Sequence, residues 1–180
     1  MALATCIFQT ERLEAREWHS LSNVDPRLPS LADIVAAMLT ESVTRALPIS
    51  WQGEYDAERA REWIAERDQE GTTLLVTDRS SRQEVGLVIL SEAESGRDSG
   101  TDVRLGYLLS EGAWGKGFAT ELVAGLASWC GAQSSITSIS AGADRDNLAS
   151  RRVLEKAGFR VVQDGNDGDV AGLTYRLNLR

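Results

Sequence analysis

The stretch from Val103 to Cys130 constrains the fold most, because the spacing of its apolar residues changes abruptly. Val103, Leu105, Tyr107 and Leu109 alternate with Asp102, Arg104, Gly106 and Leu108, which is the period of a β-strand. Ala119, Leu122, Val123, Leu126, Ala127 and Cys130 then recur along one stripe of an amphipathic helix. Gly115, Lys116 and Gly117 form the corner between the two. A strand that feeds a helix through such a corner needs a sheet beside it and the helix packed on that sheet, so the chain has to be layered.

The remaining segments fit that layering. Leu13–Glu17 reads as a first strand, and Leu31, Ile34, Val35 and Met38 fall at helical spacing. An irregular stretch with Pro48, Trp51, Gly53 and Tyr55 leads to Asp56, a suitable cap for a helix that turns Ala60, Trp63 and Ile64 inward. Residues 72–77 and 85–90 are β-prone, and 91–100 reads as a polar loop. With the strand through Val103 they predict an antiparallel meander. Gly131 is placed to end the amphipathic helix. A strand at 136–141, a helix at 147–157 and strands at 159–162 and 173–179 complete the order. The fold class expected is mixed α/β (α+β), with 1–180 as a single domain.

Composition narrows the partners. The net charge of −8 opposes nucleic-acid binding, which rests on clustered cations, and suits an amine partner better. Two cysteines, one histidine and no C-x-x-C pair predict no metal site. The sequence shows neither a signal-peptide pattern nor a membrane-length apolar run, so a cytoplasmic protein with no membrane partner is expected.

The corner carries chemistry of its own. The first turn of a helix has unsatisfied N–H donors and a partial positive charge, so an anion such as a pyrophosphate suits it. Gly115 and Gly117 would let phosphate oxygens approach the amides, and Ala119 is small enough to do the same. The same glycines also fit a plain strand-to-helix link that needs positive φ. A P-loop would require glycine at Ser110 and a hydroxyl residue at Gly117, and a dinucleotide fingerprint would require glycine at Thr120.

Two blocks make the sequence recognisable. Leu105-Gly106-Tyr107-Leu108-Leu109 with Trp114-Gly115-Lys116-Gly117-Phe118-Ala119-Thr120-Glu121-Leu122 resembles the GNAT superfamily of N-acetyltransferases. The run from Asn147 to Phe159 is similar to a second segment of the branch that acetylates ribosomal-protein N-termini, and Thr10-Glu11-Arg12-Leu13 is typical of that branch. The resemblance implies a central, mostly antiparallel sheet of six to seven strands with a splayed strand pair, and about four helices. It implies acetyl-CoA as co-substrate, with the pyrophosphate on the amides of Gly115, Lys116, Gly117, Phe118, Ala119 and Thr120. It also implies a pantetheine arm along the splayed strand, Leu108 and Leu109 nearest the thioester, and Asn147 and Ser150 facing the arm. Trp114 matches the branch, where the indole would be packed rather than touching the ligand.

The activity implied is transfer of acetyl to a primary amine, a small molecule or a protein N-terminus, by a monomer or homodimer. Backbone N–H groups would stabilise the oxyanion, and Ser150 would return a proton to the thiolate. The family often carries a glutamate where this chain has Arg104. Asp102 points to the same face as Arg104 and is a candidate base, a binding group for a cationic substrate, or a surface aspartate paired with that arginine. Glu92 and Glu94 are further candidates, and a mechanism without a dedicated base is also open. Lys116, Arg145, Arg151, Arg152 and Lys156 flank the site and can offset the charge of CoA. Trp51 and Tyr55 suit either an acceptor pocket or the core. The alternative functions are a non-catalytic acyl-CoA-binding or regulatory module and a nucleotide enzyme.

Overall fold

The computed structural model describes residues 3, 6–21, 28–94, 100–164 and 172–180. Its centre is one eight-stranded sheet. The strands are β1 (Phe8–Gln9), β2 (Leu13–Glu17), β3 (Thr72–Asp78), β4 (Glu84–Glu94), β5 (Thr101–Leu109), β6 (Ile136–Asp144), β7 (Arg160–Asp164) and β8 (Gly172–Asn178), in the spatial order β1-β2-β3-β4-β5-β6-β8-β7. Every neighbouring pair is antiparallel except β5 and β6. A parallel pair requires a crossover, and the helix α4 (Phe118–Ala132) supplies it.

The other helices are α1 (Leu31–Met38), α2 (Glu41–Thr44), α3 (Ala57–Glu70) and α5 (Leu148–Lys156). Ser30 caps α1 in a reciprocal box with Asp33, and Asp56 caps α3 by accepting from the Arg59 N–H at 2.8 Å. The sheet separates two cores. On one face α4 sets Leu122, Val123 and Leu126 against Leu74, Val76, Val88 and Leu105. On the other, α1 and α3 set Val35, Trp63 and Ile64 against Leu75, Leu87 and Leu108. Burying each large apolar side chain is worth about 1.5–3 kcal/mol, so these layers hold the sheet in place. Gly125 lets α4 pass close to the N-terminal segment: a Cβ there would come within 2.5 Å of Thr10 Cγ2.

The architecture agrees with the expected mixed class, with more elements. Among the described residues there are eight strands rather than six or seven, and five helices rather than four. The additions are β1, of two residues, and α2, of one turn, both too short for periodicity to detect. The segment expected as a loop from 91 begins inside β4, which pairs with β5 through Glu94↔Thr101; residues 95–99 lie outside the described residues. Gly131 sits inside the last turn of α4 rather than ending it, and Gln133 is the C-cap.

Candidate active site

The parallel pair opens partway along its length. β5 and β6 are paired from Thr101↔Ile136 to Leu105↔Ala141 and no further. Beyond that point residues 106–109 stay on β4, and 142–144 stay on β8. The two strands therefore splay into a wedge. The Thr101 N–H donates to Ser135 O at 2.8 Å on the β6 side, and the Ser110 N–H donates to Val85 O at 2.9 Å on the β4 side. Strand alternation then turns the main-chain groups of Tyr107 and Leu109 toward the wedge. Those of Leu108 face β4, where it pairs with Leu87. Of the two leucines expected beside the arm, Leu109 alone offers an N–H to the opening, and Tyr107 offers another.

The corner follows directly. After a 3-10 turn at Glu111–Ala113, Gly115 and Gly117 both take left-handed φ, 72° and 78°. Any L-residue would be strained there, which is why glycine occupies both positions. The first intrahelical bond of α4 runs from the Glu121 N–H to Gly117 O, and no side chain caps the helix. The N–H groups of Phe118, Ala119 and Thr120 precede that bond and are the unsatisfied donors of a helix start. A Cβ on Gly115 would meet nothing within 4 Å, so the space beside that glycine is open. The donor set fits a pyrophosphate. Trp114 is half exposed, and its indole N–H donates to Leu109 O at 2.9 Å, pinning the corner to the end of β5.

A clamp from the N-terminal strands holds the corner from below. Arg12 donates through Nη1 to Lys116 O at 2.9 Å, and its guanidinium pairs with Glu121 at 2.6 Å. The Glu121 carboxylate also accepts from Thr10 Oγ1 at 2.5 Å and from the Arg12 N–H at 2.8 Å. Burial alone would raise the Glu121 pKa, but these hydrogen bonds and the Arg12 charge hold it below the ordinary value. The guanidinium lies 4.7 Å from the Phe118 ring centroid. This gives the Thr10-Glu11-Arg12 stretch a physical role that its spacing did not reveal.

α5 brings a hydroxyl pair to the wedge. Asn147 Oδ1 caps α5 by accepting from the Ser150 N–H at 3.0 Å, and its Nδ2 remains able to donate. Ser150 Oγ lies 2.9 Å from the Tyr107 hydroxyl. Burial raises the Tyr107 pKa above its ordinary value, and the Ser150 hydrogen bond only partly opposes this, so the phenol keeps its proton. Tyr107 belongs to the expected strand, but its partner is 43 residues away and no local signal announces it.

Asp102 is not a surface aspartate paired with Arg104. It is buried, with Oδ1 accepting from Ser138 Oγ at 2.6 Å and Oδ2 from Ser140 Oγ at 3.0 Å. Its ion-pair partner is Arg176, at 3.2 Å on β8. Alternation places it on the sheet face opposite Ser150 and Tyr107. Glu92 faces away from Asp102 and accepts from the Leu3 N–H at 3.4 Å, and the Glu94 side chain is outside what is described. Lys116, Arg145, Arg152 and Lys156 are exposed; Arg151 is drawn to Tyr175 Oη and Arg145 O. Trp51 packs edge-on against Trp63, and Tyr55 donates to Trp51 O at 3.0 Å, so both belong to the α3 core.

The wedge in the mixed sheet thus lies directly beside an uncapped helix start, and main-chain N–H groups of both follow one another along the chain. A family model described as an acetyltransferase (GNAT) domain matches residues 25–160, and the chain belongs to that family. Solved structures with the same fold include a GNAT-family acetyltransferase from Bacillus anthracis, at TM-score 0.72 and 16% identity, covering 97% of this chain and 99% of that one. A ribosomal L7/L12 alpha-N-protein acetyltransferase in complex with coenzyme A superposes at TM-score 0.71 and 16% identity, covering 96% of this chain and 98% of that one. The ribosomal-protein-S5-alanine acetyltransferase from Vibrio fischeri does so at 0.63 and 16%, covering 96% of each. A search of curated proteins finds no match to this sequence. Among the described residues no helix is long and apolar enough to cross a membrane.

Proposed function

We propose that the chain transfers an acetyl group from acetyl-CoA to a primary amine, on a small molecule or a protein N-terminus, by direct attack on the thioester. One observation carries this reading. Two sets of unused N–H donors, those of Tyr107 and Leu109 along the wedge and those of Phe118, Ala119 and Thr120 at the α4 start, follow one another on a single stretch of chain. A long ligand with a diphosphate end and a polar arm needs that succession.

Acetyl-CoA supplies an activated acetyl thioester. The amides from Gly115 to Thr120 hold the pyrophosphate, and the wedge edge at Tyr107 and Leu109 orients the arm and the carbonyl. Asn147 adds a side-chain donor to the arm. The N–C bond forms as the C–S bond breaks; the amine loses one proton to water, and Ser150 Oγ, backed by the Tyr107 hydroxyl, returns one to sulfur. Asp102 has both oxygens occupied, and we assign it to holding Arg176 rather than to taking the proton.

Two measurements test the reading together. Saturating acetyl-CoA at about 100-fold its Kd should add roughly 2.7 kcal/mol and raise Tm by roughly 5–10 °C. A panel of amines and peptide N-termini should release free CoA thiol. No thermal shift would remove the cofactor assignment, and a shift with no thiol release from any amine would leave a binding module.

A further inference from the structure

The face of the sheet that α4 and α5 leave uncovered holds a bay of about 690 Å³ beside the mouth of the wedge. The ladders align one row of residues across five strands there: Ser91↔Arg104 from β4 to β5, Arg104↔Ser140 to β6, Ser140↔Arg176 to β8, and Arg176↔Arg160 to β7. Residues paired directly across neighbouring strands share a face, so three arginines stand on one side of the sheet. The row lies one residue before the last β5–β6 pair; its Ser91, Arg104, Ser140 and Arg176 line the bay with Gly106 and Gly142, which lie one residue beyond that pair, and Arg160 stands at the row's far end outside the lining. The row therefore lies at the mouth of the wedge.

Among the described residues the charge of the row is only partly compensated. Asp102 neutralises Arg176, with Ser138 and Ser140 completing the carboxylate's bonds. Arg104 and Arg160 are exposed and have no ion-pair partner among the described residues. Asp144, the next acid along β6 on this face, is four residues from Ser140, about 13 Å in an extended strand. Counted over the described residues, the row carries two net positive charges in a chain whose total is −8. Arg176 directly opposite Arg160 is a like-charge pair that costs stability. A guanidinium offers paired N–H donors that match a carboxylate.

We propose that this row selects the acceptor: an amine that carries a carboxylate close by, held by Arg104 with Arg176 and Arg160 behind it while the amine enters the wedge past Gly106 and Gly142. The proposal rests on the acetyltransfer reading and names its substrate class. The same chemistry is found in a free acidic amino acid and in a peptide whose N-terminal amine is followed by acidic residues.

Matched acceptors test it by kcat/KM for CoA thiol release. One arm compares glutamate with glutamine amide, in which both carboxylates are replaced by amides, and the other compares peptides starting Ala-Glu-Glu with Ala-Gln-Gln. The carboxylate member should win by about tenfold in at least one arm, which also identifies the source. Arg104→Gln should erase that margin by raising KM for the acidic acceptor alone, and Arg104→Glu should reverse it. No preference, a preference for the amide, or an equal loss on both acceptors in Arg104→Gln would overturn the proposal. If no acceptor is turned over, the transfer reading fails separately, and calorimetry of glutamate with the CoA-saturated protein decides the anion site. Binding lost in Arg104→Gln keeps it; absence of binding in the parent protein overturns it.

Discussion

The helix corner and the sheet bay sit at opposite sides of one wedge and are built in opposite ways. The corner is main chain from a short continuous stretch, Gly115 to Thr120, with two glycines in left-handed conformation and a helix start without a cap. The bay is side chains, one residue from each of several strands, brought into line by register alone. A backbone site is damaged by anything that adds bulk or charge at its few positions while the core stays intact. A side-chain row woven into a sheet shares its residues with the sheet's own stability.

Gly117→Glu should show the largest effect. Bulk and like charge at the α4 start should weaken CoA binding by more than about 100-fold, with only about 1 kcal/mol lost from stability for the left-handed φ. Isothermal titration with CoA and a urea melt read the two quantities, and binding retained within tenfold would break the contrast. Asp102→Ala should behave in the reverse sense. Removing the carboxylate leaves Ser138, Ser140 and Arg176 without their partner and should cost roughly 2 kcal/mol in the urea midpoint, less than a fully buried pair because Arg176 is partly exposed. CoA affinity should stay within twofold in that variant.

Ser150→Ala sharpens the comparison at the joint between the regions. It should lower kcat by about tenfold and leave the CoA thermal shift in place. Tyr107→Phe, which keeps the ring and removes only the hydroxyl, should reproduce a smaller part of the loss; unchanged kcat in both would take the hydroxyl pair out of the reaction. The smallest effect belongs to the cysteines, which serve neither region. Burial pushes the Cys6 and Cys130 thiols up to about 12 from 9.0. The unfolded chain therefore loses these protons before the folded one does, so their contribution is constant below pH 9 and falls as pH rises from 9 toward 12. Ellman's reagent should leave the native protein unlabelled at pH 8, and rapid labelling would show that the α4 core opens.

Much of the scaffold is visible in local pattern. The spacing of Leu31, Ile34, Val35 and Met38 matches α1 end to end, and Asp56 caps α3 as its chemistry requires. The corner is equally readable, since glycine between a strand period and a helix period has few structural meanings. β1 escaped because two residues carry no periodicity, and the continuation of β4 through Glu94 escaped because polar residues on an open sheet face look like a loop. The Tyr107–Ser150 pair, the Arg12–Glu121 clamp and the Asp102–Arg176 pair join residues dozens of positions apart, and no window of sequence contains both members.

Local sequence therefore settled the succession of strand, corner and helix, because hydrophobic period and glycine conformation are properties of neighbours along the chain. The three-dimensional packing alone decided where β5 and β6 part, which face Asp102 and Arg104 occupy, and which charges Asp102 meets. Strand register is a long-range quantity: a shift of one residue turns every side chain to the other face, and it is set by the whole sheet closing on its two cores.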